Sequence, residues 1–189
     1  MRDYLRLYHL EAYLFGQVTG QFQKNGTLSA FDFFCIVIWK ANRSKSKVAT
    51  RLLKKCHPDL TAAVDALLKG IGSASDNRGR LEVLIEEWGF RLPMASAVST
   101  VLYPDEFTVY DVRVCDLLGD FKDAQHKTRF EELWNRYTRY SAAVRAAVSG
   151  KLSLREKDRY LWGRSFAEQL ERDITTGFQK PVVDEELEA

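Results

Sequence analysis

Apolar residues recur three and four positions apart along almost the whole chain. That period places them on one face of a helix, so it restricts the chain to helices packed through their apolar faces. Leu7, Leu10, Leu14, Val18 and Phe22 form a first stripe, which Gly26 ends. Phe31 to Trp39 is apolar all round and has the length of a buried strand. Ser29 and Asp32 form a capping-box pattern ahead of it, and no second strand candidate follows, so it reads as a buried helix. Val48, Leu52 and Leu53 mark a third helix, stopped at His57-Pro58. Val64, Leu67, Leu68 and Ile71 mark a fourth, ending at Gly70 or Gly72. Leu81, Leu84, Ile85 and Trp88 mark a fifth, capped near Asp76.

Pro93 suits the first position of the next helix, whose stripe is Met94, Ala97, Val98, Val101 and Leu102. Pro104-Asp105 makes a turn, and Thr108-Val109-Tyr110 is a short extended stretch. Asp111 then precedes Val114, Leu117 and Leu118 on a helix closed by Gly119. Two long helices follow. Phe130, Leu133, Trp134, Tyr137, Ser141, Val144 and Val148 mark one; Trp162, Phe166, Leu170 and Ile174 mark the other, with Ser153 and Glu156 as its capping box. The fold class is all-α: one helical domain over residues 1–176, followed by a loose acidic tail over 177–189. Two lobes around a cleft are compatible with this layout.

At 189 residues, 46% apolar and 12% aromatic, the chain has the means to bury a core, which argues against disorder. Cys35, Cys56 and Cys115 form no CxxC pair, and His9, His57 and His126 share no ligand spacing, so neither a metal site nor a cofactor is expected. The N-terminus shows no signal-peptide pattern, and the longest apolar run is too short to span a bilayer. A reducing cytoplasm and no membrane partner are the expectations. The net charge is only +2, but its distribution is uneven. Lys40, Arg43, Lys45, Lys47, Arg51, Lys54 and Lys55 lie together without an acidic residue, whereas Asp184, Glu185, Glu186 and Glu188 crowd the end. Such asymmetry fits a phosphate-facing surface, or a solvated basic helix.

The most informative stretch runs from Trp88 to Leu118, WGFRLPMASAVSTVLYPDEFTVYDVRVCDLL: helix, tight turn, helix, short loop, Asp, helix. It resembles the core of the helix-hairpin-helix DNA glycosylase superfamily, which includes endonuclease III. Gly89-Phe90 is similar to the first half of that family's hairpin and Ala95 to the small residue of its second helix. Tyr110-Asp111 is similar to the Asp position. Pro93 precedes Asp111 by 18 positions, the interval expected there between the hairpin's lysine position and the catalytic Asp. Phe31 to Arg43, FDFFCIVIWKANR, also looks like a bacterial branch of the superfamily. The core match covers about a sixth of the chain.

The resemblance implies that Gly89, Phe90, Arg91, Leu92 and Pro93 grip a DNA phosphate, as backbone N–H groups at a helix N-terminus do. It implies that Asp111 stabilises the positive charge of a sugar whose flipped base is leaving. Apart from the family, Asp111 reads as the N-cap of its helix, and the two roles are compatible. Lys40, Arg43, Lys45 and Lys47 are candidate phosphate contacts, or solvated charges; Arg113 would contact phosphate or pair with Asp111. Trp39, Trp88, Tyr103 and Tyr110 are candidate base-stacking rings, or core.

Two positions depart from the family pattern. Pro93 stands where bifunctional members carry their Schiff-base lysine, so a monofunctional enzyme is implied. Arg91 replaces the hairpin's second glycine, which is strained if the position needs positive φ. Lys69-Gly70-Ile71-Gly72 is a better literal GxG but is followed by polar residues, and reads as a helix-ending loop. The expected partner is double-stranded DNA bearing a lesion base, with a nucleoid location if DNA is bound. The alternatives are a DNA-binding relative without catalysis and a helical protein-interaction module.

Overall fold

The computed structural model describes residues 4–55 and 59–178. Cys56, the stop expected at His57-Pro58 and the acidic residues from Asp184 onward lie outside the described residues. Among the described residues every regular element is helical, which bears out the all-α class. No helix among them is long and apolar enough to cross a membrane.

The chain opens with α1 (Tyr4–Tyr8) and α2 (Leu10–Tyr13), which runs through a π turn (Leu14–Val18) into α3 (Thr19–Asn25). Leu14, Val18 and Phe22 are buried, as their spacing requires. Next is α4 (Ala30–Ala41), where the Ser29 hydroxyl accepts from Asp32 N–H. The Asp32 carboxylate does not complete the box. It accepts from the Ser29 hydroxyl at 2.6 Å and from the buried Tyr13 hydroxyl at 2.5 Å, tying α4 to α2.

The basic α5 (Lys45–Lys54) buries Val48 and Leu52 but leaves Leu53 exposed. The fourth predicted helix, α6 (Leu60–Ser73), continues through both Gly70 and Gly72 instead of ending there. The reason is packing. A Cβ at Gly70 would meet the Val83 side chain at 3.2 Å, so glycine permits the close approach of the following π turn (Val83–Glu87). That turn extends α7 (Asn77–Glu82), capped by Asp76, whose carboxylate accepts from Gly79 N–H.

At the centre lies α8 (Leu92–Leu102). Only Pro93 among its residues is not buried, so the helix is enclosed on all sides rather than along one stripe. Then come α9 (Val112–Leu118), α10 (Phe130–Ala147) and α11 (Leu154–Thr175). Buried residues from Tyr13 to Leu161 form one continuous cluster around α8.

The expected core stripe of α11 is corrected. Trp162, Phe166, Leu170 and Ile174 are exposed at 44%, 45%, 38% and 62%. The buried face is Leu154, Asp158, Leu161 and Ser165, one position earlier. Two polar residues on that face hide it from a hydrophobicity pattern, and the apolar row beside it is the stronger signal.

These two surfaces make opposite expectations. Leu68→Ala, at a fully buried position of α6, is expected to lower unfolding free energy by about 2–5 kcal/mol. Ile174→Ala is expected to change it by no more than about 0.5 kcal/mol. Urea unfolding followed by circular dichroism checks both.

Candidate functional site

Between α8 and α9 the chain is buried and forms no regular element: Phe107, Thr108 and Tyr110 are almost wholly enclosed. A buried segment outside helix and sheet must satisfy its N–H and C=O groups some other way. Side chains from three helices supply the partners. Tyr137 of α10 donates its hydroxyl to Thr108 O at 2.7 Å and accepts from Thr108 N–H at 3.2 Å. Tyr140, one turn on, donates to Val109 O at 2.9 Å. Ser96 of α8 accepts from Tyr110 N–H at 2.9 Å. Asp158 of α11 accepts a backbone hydrogen bond from Val109. Burial pushes the phenols of Tyr137 and Tyr140 well above their usual range, so they remain neutral donors.

This segment delivers Asp111 to the N-terminus of α9. Asp111 Oδ1 accepts from Arg113 N–H at 3.0 Å, so the residue is the N-cap. Oδ2 accepts from the Lys40 ammonium at 2.8 Å. Lys40 comes from the end of α4, 71 positions earlier. Thus Lys40, not Arg113, is the cation paired with Asp111. The Arg113 guanidinium instead bonds Gln169 and lies 5.8 Å over the Trp162 ring.

The Asp111–Lys40 pair lines a cleft of about 480 Å³. Trp39 joins it from α4, Glu11 from α2, and Arg155, Asp158, Arg159 and Trp162 from α11. Asp158 is 2% exposed and paired with Arg155. Burial pushes its carboxyl up to about 6, against the lowering influence of Arg155, the Val109 backbone bond and Lys40. Arg155 also binds Glu11 at 2.9 Å and lies over the rings of Phe15 and Trp39. Among the described residues no group of three His, Cys, Asp or Glu side chains converges as a metal site would require.

The residues from Trp88 to Arg91 form a tight reversal between the π turn and α8. Gly89 adopts φ +66°, and Phe90 N–H closes the turn on Leu84 O at 2.9 Å. Arg91 is extended at φ −78°, so the position does not need a glycine and the expected strain is absent. Phe90 and Leu92 are buried anchors; Gly89 and Arg91 are exposed, and Pro93 lies in the first turn of α8. Ser96 ties the first turns of α8 to the segment that carries Asp111. The Ser96 hydroxyl donates to Pro93 O at 3.3 Å and accepts from Tyr110 N–H, the residue before Asp111.

The basic run divides between these places. Lys40 is in the cleft, Arg43 is exposed, and Lys45 bonds the Asn42 side chain at 2.8 Å. The later half of the run meets the turn. Arg51 lies 5.8 Å over the Phe90 ring and Lys55 5.3 Å over Trp88. Lys47, Arg51, Lys54 and Lys55 line a groove of about 590 Å³ with Ser46 and Thr50. Of the candidate stacking rings, Trp88 and Tyr110 are core and Tyr103 packs against Phe22, leaving Trp39 at the cleft. Tyr140, Asp158 and Arg155 were not singled out from sequence. A tyrosine three residues beyond Tyr137 and an acid on a charged helix give no local signal of their role.

No family model, curated protein or solved structure matches the chain.

Asp158 sets a pH dependence. Its folded value lies above that of an unfolded Asp, 3.8, so the fold binds the extra proton between about pH 4 and 6. Its favourable contribution is complete in acid and lost as pH rises through 6. Asp158→Asn removes this titration, and with it the ion pair to Arg155, at every pH. The variant is expected to gain roughly 2 kcal/mol on wild type between about pH 4.5 and 7.5, read from denaturant midpoints. Separately, Tyr140→Phe leaves the buried Val109 carbonyl unpaired and is expected to cost about 1–3 kcal/mol in urea unfolding.

Proposed function

We propose that the chain is a monofunctional DNA N-glycosylase of the helix-hairpin-helix kind, acting on a damaged or modified base. The observation that carries this reading is the position of Asp111. Its carboxylate lines a cleft of about 480 Å³, and Tyr110, the residue before it, is bonded through Ser96 to α8, the helix that the glycine turn opens. The same turn is overlaid by Arg51 and Lys55 of an acid-free basic helix. In this reading Gly89–Pro93 and α5 hold the phosphate backbone, with Arg43 and Lys45 extending the contact. The elements carrying Lys40 and those carrying Asp158 act as two lobes about the cleft.

The chemistry asked of the site is modest. As the base departs, positive charge grows on the sugar, and a carboxylate held in place stabilises it and orients water. Oδ1 is committed to the cap, so Oδ2 is the reacting oxygen. Lys40 screens Oδ2 at rest, and an incoming phosphate competes for that ammonium. Pro93 offers no amine, so the hairpin supports hydrolysis without a Schiff base. No cofactor is required.

A second reading has its own support. Both Asp111 oxygens already have partners, as they would in a DNA-binding relative without catalysis. Asp111→Asn separates the readings, because Asn caps a helix as well as Asp and the fold is retained. A panel of lesion-bearing duplexes is expected to yield abasic sites with wild type, and about a hundredfold fewer with Asp111→Asn. Undiminished product in the variant removes Asp111 from the chemistry. Salt-dependent duplex binding without product on any lesion favours the inactive relative, and no binding even at low salt leaves the interaction module.

A further inference from the structure

The exposed row on α11 begins at the rim of the cleft. Trp162 and Phe166 are stacked, 5° from parallel with ring centroids 5.7 Å apart, yet both are nearly half exposed. Two large planar rings are rarely left this open without something to cover them. Trp162 lines the same cleft as Asp111 and Lys40. Arg113 lies over its ring while bonding Gln169, which braces the indole from the α9 side. Of the cations at this rim, Lys40, Arg155 and Arg159 are paired with carboxylates, and Arg113 is the one without an ion pair among the described residues.

We infer that Trp162 and Phe166 form a stacking platform for an unpaired nucleobase of the bound DNA strand. The inference rests on the DNA-processing reading and deepens it: the favoured substrate is DNA already locally open. Flat rings in a near-parallel pair present a π face that any base can cover, and stacking of this kind does not depend on sequence. Arg113, beside the indole, meets a phosphate next to that base. A second copy of the chain is the competing occupant. Continuity with the cleft, and an arginine without a carboxylate partner held against the ring, favour a nucleic-acid strand over it.

Oligo-dT is the probe, titrated into the full chain at low salt while tryptophan fluorescence is followed. Quenching is expected for wild type. Trp162→Phe keeps a stacking ring and is expected to retain affinity while losing most of the quenching. Trp162→Ala and Phe166→Ala are each expected to weaken binding about tenfold. Wild type is further expected to prefer a duplex carrying an unpaired bubble to the matched duplex, and Trp162→Ala to lose that preference. Unchanged oligo-dT affinity in both alanine variants overturns the platform. So does a fall in the sedimentation coefficient of the DNA-free protein on Trp162→Ala, which assigns the surface to self-association. Salt-dependent duplex binding that survives in these variants, with no oligo-dT effect, sinks this inference alone. Absence of any DNA binding by wild type sinks the functional reading with it.

Discussion

The structure depends on one local problem and its solution. Residues 107–110 pass through the interior outside any helix, with no strand among the described residues, so their peptide groups must find partners among side chains. Two tyrosines one turn apart on α10, a serine on α8 and an aspartate on α11 provide them. The segment therefore acts as a pin that α8, α10 and α11 close around. Its ends are fixed in consequence, and Asp111 emerges at one place and in one orientation.

That solution explains why a carboxylate is buried where it appears unfavourable. Asp158 is desolvated enough to hold its proton to about pH 6, and its partner Arg155 is itself engaged by Glu11 and two aromatic rings. A hydrophobic residue at 158 would leave Arg155 with one fewer acceptor and the Val109 amide with none. Removing one member of such a network is more costly than never having built it. The charges of the cleft are thus cross-braced, whereas those of α5 face open solvent and are available to an external polyanion.

The sequence made the helices legible because their apolar spacing is local. The caps at Ser29, Asp76, Asp111 and Ser153 were legible for the same reason, since a cap needs only its own next three residues. The α11 face was misread because burial there is polar, at Asp158 and Ser165, and a pattern of apolar residues points to the neighbouring row. Gly70 was misread because glycine in a helix serves either to end it or to admit a close neighbour, and only the position of Val83 decides between them. The site itself was half legible. Asp111 and the turn at Gly89 are singled out only by the motif they resemble; read alone, Asp111 is a helix cap. The Lys40 ammonium on Asp111 has no such signal, because 71 residues separate the two in the chain.

The observed cap at Asp111 and the reactive role proposed for it rest on one geometry. A helix N-terminus presents unpaired N–H groups, and an Asp placed there accepts from one of them with a single oxygen. The second oxygen is left to point away from the helix, and here it points across the cleft toward α4. Capping thereby fixes the carboxylate's orientation, using a bond that costs the exposed oxygen nothing. A lysine opposite it completes a pair that a ligand can enter only by displacing or recruiting an ammonium. An Asp that merely capped α9 would need neither the buried pin behind it nor the cation in front. The presence of both is the physical reason to regard this residue as the centre of the site.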